Sequence, residues 1–302
     1  MVIAGCAVLL AQQGDTILAS VRQLSATQVV LSGAVAVPAT MCLQQAWRSL
    51  LTGFGVAADR RDAAAAFYVS QLGKYLPGAV WPVVVQVELG ARWSVPRRVM
   101  LTVGLQLILV VTTSGILIGA LLLPWSSPSG ISRYAWLLAL VPLALVALHP
   151  RLLPSVLDTL SVKTGGHALG ARASVSGLLR ASWWATLMWL LLGLHLAILM
   201  AAFTTIGPLE AAAAVGGMGL AWAAGIAFLP APAGAGVREA VLMLTLSPFI
   251  GREAALAIAI TSRALLVLVD VVLAAIAAGR STSRGFRTAR ARTSAPDTGD
   301  SE

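Results

Sequence analysis

A small set of ionisable side chains stands where an otherwise apolar chain is broken by proline and glycine. Lys74 and Tyr75 come just before Pro77-Gly78, inside the run of residues 63–90 that also holds Gln71, Gln86 and Glu88. Gly236, Arg238 and Glu239 close a second break, the Pro/Ala/Gly stretch at 230–236. Arg263 and Asp270 follow on the next apolar segment. They are seven residues apart, two helical turns, and so share one face. A guanidinium offers a planar fork for two phosphate oxygens, and an ammonium offers a point charge. Glu239 falls in the first turn of a helix, where the helix dipole favours a carboxylate. Each such residue within a membrane span costs about 2.5–3.5 kcal/mol on insertion scales, and such residues pair with one another and mark pathways. Two chemistries suit the set: a seat for an anionic headgroup, or an ion-pair lock between the last two helices. They are compatible with each other.

Other chemistries lack their residues. Cys6 and Cys42 lie in apolar stretches without a neighbouring His or acid, so neither a disulfide framework nor a zinc site follows. His149, His167 and His195 are scattered and make no metal-binding spacing. No nucleophile elbow, phosphate loop or dinucleotide fingerprint occurs, and no cofactor is expected. Only Glu239 and Asp270 could serve an intramembrane transferase as acid or base.

The elements that must position these residues are membrane helices. The chain has 302 residues, 58% hydrophobic and 11% charged, against about 25% charged in a soluble domain. The expected fold is all-α, a polytopic helix bundle over 1–278, with a disordered, basic cytoplasmic tail at 279–302. The order begins with a short apolar run at 2–11 and an interfacial helix at 15–24. Spans follow at 25–47, 99–123, 134–148, 174–203, 209–229 and 252–278. A surface helix and loop is expected at 152–170, and a half-length helix at 237–246. Each half of the 63–90 run is about 13 residues, too short for a core of ~30 Å. With Arg60-Arg61 before it and Arg92 and Arg97-Arg98 after it, the run reads as a hairpin that dips in and returns. A proline-kinked helix with Lys74 snorkelling to the headgroups is the other reading. Basic residues cluster at 48–61, 92–98, 151–180 and 280–292. All four fall on one side if 62–90 returns and 237–250 crosses, which makes that side and the C-terminus cytoplasmic. The net charge of +9 is mostly this asymmetry plus the tail. A nucleic-acid partner is not expected, since no aromatic-interleaved basic fold is present.

Gln71-Leu72-Gly73-Lys74-Tyr75-Leu76-Pro77-Gly78, followed by Trp81, resembles the Gly-Lys-Tyr-hydrophobic-Pro-Gly signature of the flippase-like transmembrane family. That family includes the membrane region of lysylphosphatidylglycerol synthase. The stretch from Pro232 to Ala240 is similar to its second signature, a glycine-rich turn followed by Gly-hydrophobic-Arg-Glu-Ala. Arg263 resembles a third recurring position. The resemblance covers roughly 30–278 and implies a bundle of about seven or eight spans with re-entrant or broken helices, the arrangement a bilayer tolerates for irregular backbone. It implies binding or movement of lipid in the cytoplasmic membrane. Lys74, Tyr75, Pro77, Gly78, Gly236, Arg238, Glu239, Arg263 and Asp270 would form the substrate site. Relatives often carry a basic residue after the Pro-Gly, where this chain has Gln86 and Glu88. The synthase's soluble aminoacyl-transferase domain is not expected here, so synthesis of lysyl-lipid by this chain alone is not expected either. The expected partner is an anionic or polyprenyl-linked lipid. The alternative is an accessory membrane subunit for a glycosyltransferase or another lipid-modifying enzyme.

Overall fold

A computed structural model describes residues 19–76, 80–127, 130–149, 155, 159, 174–228 and 234–293, the last thirteen by backbone alone. Pro77 and Gly78 lie outside the described residues, as do the apolar run at 2–11 and most of 152–170.

Among the described residues the protein is an all-α polytopic helix bundle without strands. Its helices are α1 Ala26–Gly53, α2 Arg60–Gln71, α3 Trp81–Gly90, α4 Arg97–Leu122, α5 Gly130–Tyr134, α6 Leu140–Ala147, α7 Val175–Met200, α8 Pro208–Ala227, α9 Val237–Ile250 and α10 Arg252–Thr293. Six stretches are long and apolar enough to cross a membrane: Ala26–Gly53, Arg97–Trp125, Gly130–Ala147, Val175–Met200, Pro208–Ala227 and Arg252–Arg280. The α2, α3 and α9 helices are short of that length. α10 continues beyond residue 278, into the stretch expected to be a disordered tail, and ends at Thr293.

Helix starts follow local chemistry. Ser25 opens α1 with a capping box, its hydroxyl accepting from Gln28 N–H while Gln28 Oε1 accepts from Ser25 N–H. Asp59 caps α2 by accepting from Arg61 N–H, and Ser174 caps α7 by accepting from Gly177 N–H. Glu210 accepts from Gly207 N–H at the start of α8. α9 begins where Gly234 and Gly236 take φ of +67° and +82°, a region in which a Cβ is strained. It runs through Pro248 to Ile250, past the expected stop at Leu246.

Two of these short segments form hairpins that enter from opposite ends of α4. At the Arg97 end, Arg97 pairs with Glu88 at 3.2 Å, Met100 fills the space beside Gly90, and Val83 lies against Gly104. The tip of the α2–α3 hairpin is thus part-way along α4, level with Gly104. At the far end of α4, Gly115 and Gly119 pack on Gly219 and Gly216 of α8, so α8 runs antiparallel to α4. α9 then runs back along α8, with Thr245 on Gly217 and Gly234 on Gly225. α9 covers only roughly 21 Å at 1.5 Å per residue. Its first turn is therefore buried in the bundle, and its last turn is level with the start of α8.

A frame of long helices holds the hairpins apart. α1 and α7 share the most extensive interface. His195 on α7 is fully buried and joins three helices. Its Nδ1–H donates to the Ser32 carbonyl on α1 at 3.0 Å, and Nε2 meets Ser262 Oγ on α10 at 2.8 Å. Ser32 Oγ returns a bond to the His195 carbonyl at 3.0 Å. Trp47 of α1 donates to Gln86 of α3 at 2.9 Å, and Gln86 donates to Ser70 of α2 at 3.1 Å. Gln86 thus ties both arms of the first hairpin to the frame.

In a chain with Cys6 and Cys42 replaced by serine, single cysteines at Asp59 and Trp93 should be modified from one side of the membrane. Cysteines at Gly207 and Gly251 should be modified only from the other. Labelling of Asp59 and Trp93 from different sides would overturn the hairpin, and labelling of all four positions from one side would overturn the opposed entry.

Candidate anion site at the meeting of two hairpins

The two tips meet at α10. Lys74 and Tyr75 end α2's short 3-10 extension, Leu72–Tyr75. Lys74 Nζ lies 2.6 Å from Asp270 Oδ2, and the Tyr75 hydroxyl donates to the same oxygen at 2.5 Å. Asp270 is only 3% exposed. Two donors on one buried oxygen fix the tip of the first hairpin to the middle of α10. Two turns earlier on α10, Arg263 Nη1 pairs with Glu239 Oε1 at 2.7 Å. The other oxygen of Glu239 accepts from Gly236 N–H at 2.7 Å. Glu239 therefore both closes the turn before α9 and fastens α9 to α10, one oxygen for each task. Glu239 adjoins Arg238 in the sequence but does not pair with it. It binds Arg263 instead, because neighbours on a helix point some 100° apart and Arg263 faces the other side.

Arg238 is left over. Its guanidinium lies 4.8 Å from the centre of the Trp222 ring, with Nη2 3.8 Å from Met218 Sδ. Neither partner carries charge. Among the described residues no carboxylate stands within ion-pair distance of it. Lys74 Nζ faces the same Trp222 ring at 5.9 Å, so the two cations share one aromatic surface. Three cations here meet two carboxylates, and the excess charge resides on Arg238.

Lys74, Trp222 and Arg238 line a cavity of about 110 Å³ whose other walls are largely apolar: Leu43 from α1, Val83 from α3, and Leu107, Ile108 and Val111 from α4. Gln71, Gln86, Gly225 and Gly234 complete it. A second, smaller cavity is bordered by Tyr75, Arg263 and Asp270, again with Lys74, Trp222 and Arg238. A water needs only about 10–15 Å³ of such volume, so the larger space admits a polar group of several heavy atoms. Trp222 Nε1–H is buried without an acceptor among the described residues.

The structure thus brings Lys74, Tyr75, Gly236, Arg238, Glu239, Arg263 and Asp270 into one neighbourhood. Within it Lys74 and Arg238 share a cavity. Sequence reasoning passed over Trp222, Met218 and Gly225. A lone tryptophan in the Ala/Gly-rich stretch of α8 was the available signal, since a large aromatic there needs a reason. Gly225 matters because Arg238 lies across it: a Cβ would stand 2.8 Å from Arg238 Cγ. Among the described residues no cluster of His, Cys, Asp and Glu suited to a metal ion occurs.

Glu239→Ala should destabilise the folded protein by about 3 kcal/mol or more, because it strands a partly buried Arg263 and uncaps Gly236. Arg238→Gln should change stability far less, having no ion pair to break. Thermal unfolding in detergent, followed for both variants, checks the contrast; equal losses would mean that Arg238 is structural. No protein-family model matches this chain, and no curated protein matches it, so the geometry of this site is the ground on which its function is argued.

Proposed function

We propose that the protein binds, and moves between leaflets, a membrane lipid with an anionic headgroup. The observation that carries the reading is Arg238: a guanidinium inside a membrane bundle, without a carboxylate among the described residues, on a cavity where two opposed hairpins meet. A charge so placed is costly unless an anion joins it. The guanidinium fork suits phosphate oxygens, and the apolar wall formed by α3 and α4 suits acyl chains. Paired short segments entering from opposite sides, with polar groups at the tips, are the arrangement in which transporters place midplane sites. The resemblance of 71–78 and 232–240 to the flippase-like family's signatures points the same way. In this reading the faces at 48–61, 92–98 and 280–292 are cytoplasmic, by their basic residues, in the cytoplasmic membrane. Lys74 serves the site from its pairing with Asp270.

The test is the exposure of headgroup-labelled phosphatidylglycerol in vesicles that contain the purified full chain, with an impermeant quencher outside. The inner-leaflet pool should become quenchable, whereas in empty vesicles it stays protected. Arg238→Gln should slow this at least about tenfold, which is a rise of about 1.4 kcal/mol in the barrier. Arg238→Lys should recover only part, since lysine lacks the fork. A wild-type rate equal to that of empty vesicles would overturn translocation. An Arg238→Gln rate equal to wild type per folded molecule would overturn the site.

A further inference from the structure

We propose that Asp270 sets the charge of the headgroup: it holds Lys74 neutralised, so that the site presents one free cation among the described residues and takes a singly charged phosphodiester in preference to a doubly charged phosphomonoester. This rests on the headgroup reading above and adds the substrate class to it.

The inference follows from how each charge is held. Lys74 and Tyr75 both donate to Asp270 Oδ2, at 2.6 and 2.5 Å, on a carboxylate that is almost wholly buried. Breaking the pair would leave the buried carboxylate without its cation, so the pair is retained as a unit. Arg263 is engaged by Glu239, which is itself anchored to Gly236 N–H. Among the described residues of the site, Arg238 is the cation that faces neutral partners, the Trp222 ring and the Met218 thioether. One anionic charge on the ligand therefore brings the site to neutrality. A second would have to draw Lys74 away from Asp270 and leave that carboxylate buried without its cation, which is the strongly destabilising way to break such a pair. The site can thus bind several oxygens of a phosphate while matching only one negative charge.

The test is binding of phosphatidylglycerol and phosphatidic acid to the full chain in neutral detergent micelles. It is run at about pH 8.5, well above a phosphomonoester's second pKa of about 6. The wild type should favour the diester by about tenfold, a difference of about 1.4 kcal/mol. Asp270→Asn releases Lys74 and should erase or reverse the preference by raising affinity for the monoester. Lys74→Gln/Asp270→Asn removes both charges together and should restore the preference for the diester; this variant keeps the test decisive if the single one does not fold. Inorganic phosphate should not displace phosphatidylglycerol, because the lipid source brings acyl chains to the apolar wall. Equal binding of both lipids by the wild type would overturn the charge selection and leave the headgroup site standing. Binding of neither would overturn both. Displacement by inorganic phosphate, or an unchanged preference in Asp270→Asn, would overturn the proposal as well.

Discussion

A charge inside a bilayer has to be neutralised where it stands, and in this protein that requirement joins the tips of two hairpins to one helix. Asp270 takes the tip of the first hairpin through Lys74 and Tyr75. Arg263 takes the second through Glu239. Both anchors sit on α10, and Ser262 on the same helix completes the tie through His195 to α7 and α1. These ionic contacts act together with the Trp47–Gln86–Ser70 hydrogen bonds in holding the half-length helices inside the bundle.

The sequence revealed the class of the fold plainly. Its low charge and long apolar stretches indicated spans, and the Pro/Gly breaks marked the places where a span is replaced by something shorter. The position of Arg263 and Asp270 seven residues apart correctly placed them on one face, but their partners could not be assigned that way. Lys74 finds Asp270 because a hairpin folds back from a distant part of the chain, and no local period records that. The same limit explains Trp222. A tryptophan among alanines and glycines reads as lipid-facing or core until α8 is laid against α9, when it becomes the surface that two cations share. The role of Gln86 was hidden for another reason. A glutamine in an apolar run signals a hydrogen bond without naming its partner, and here the partners are Trp47 and Ser70 on two other helices.

Glycine decides how near these elements come. Gly225 and Gly234 bring α8 and the turn before α9 into backbone contact, so that a Cβ on Gly234 would lie 2.6 Å from the Gly225 Cα. Arg238 can then lie flat across α8 toward Trp222 and Met218. With a larger residue at either position the guanidinium would be pushed from the aromatic face. Small residues are therefore part of how the site holds its one spare charge, in addition to their usual role of letting membrane helices approach.

The separation of these partners along the chain bears on how the protein is made. Tyr75 and Asp270 are 195 residues apart, and Ser32 and His195 are 163 apart. During synthesis the α2–α3 hairpin leaves the ribosome long before the carboxylate that receives its lysine. Until α10 enters the membrane, Lys74 has no buried counter-charge there, and its ammonium is better solvated among the headgroups. The hairpin is thus the first of the membrane elements to be made that must wait for the last. Its seating is a late event of assembly, coupled to insertion of α10, and a ribosome halted before Asp270 would hold a bundle whose first hairpin still lies at the surface.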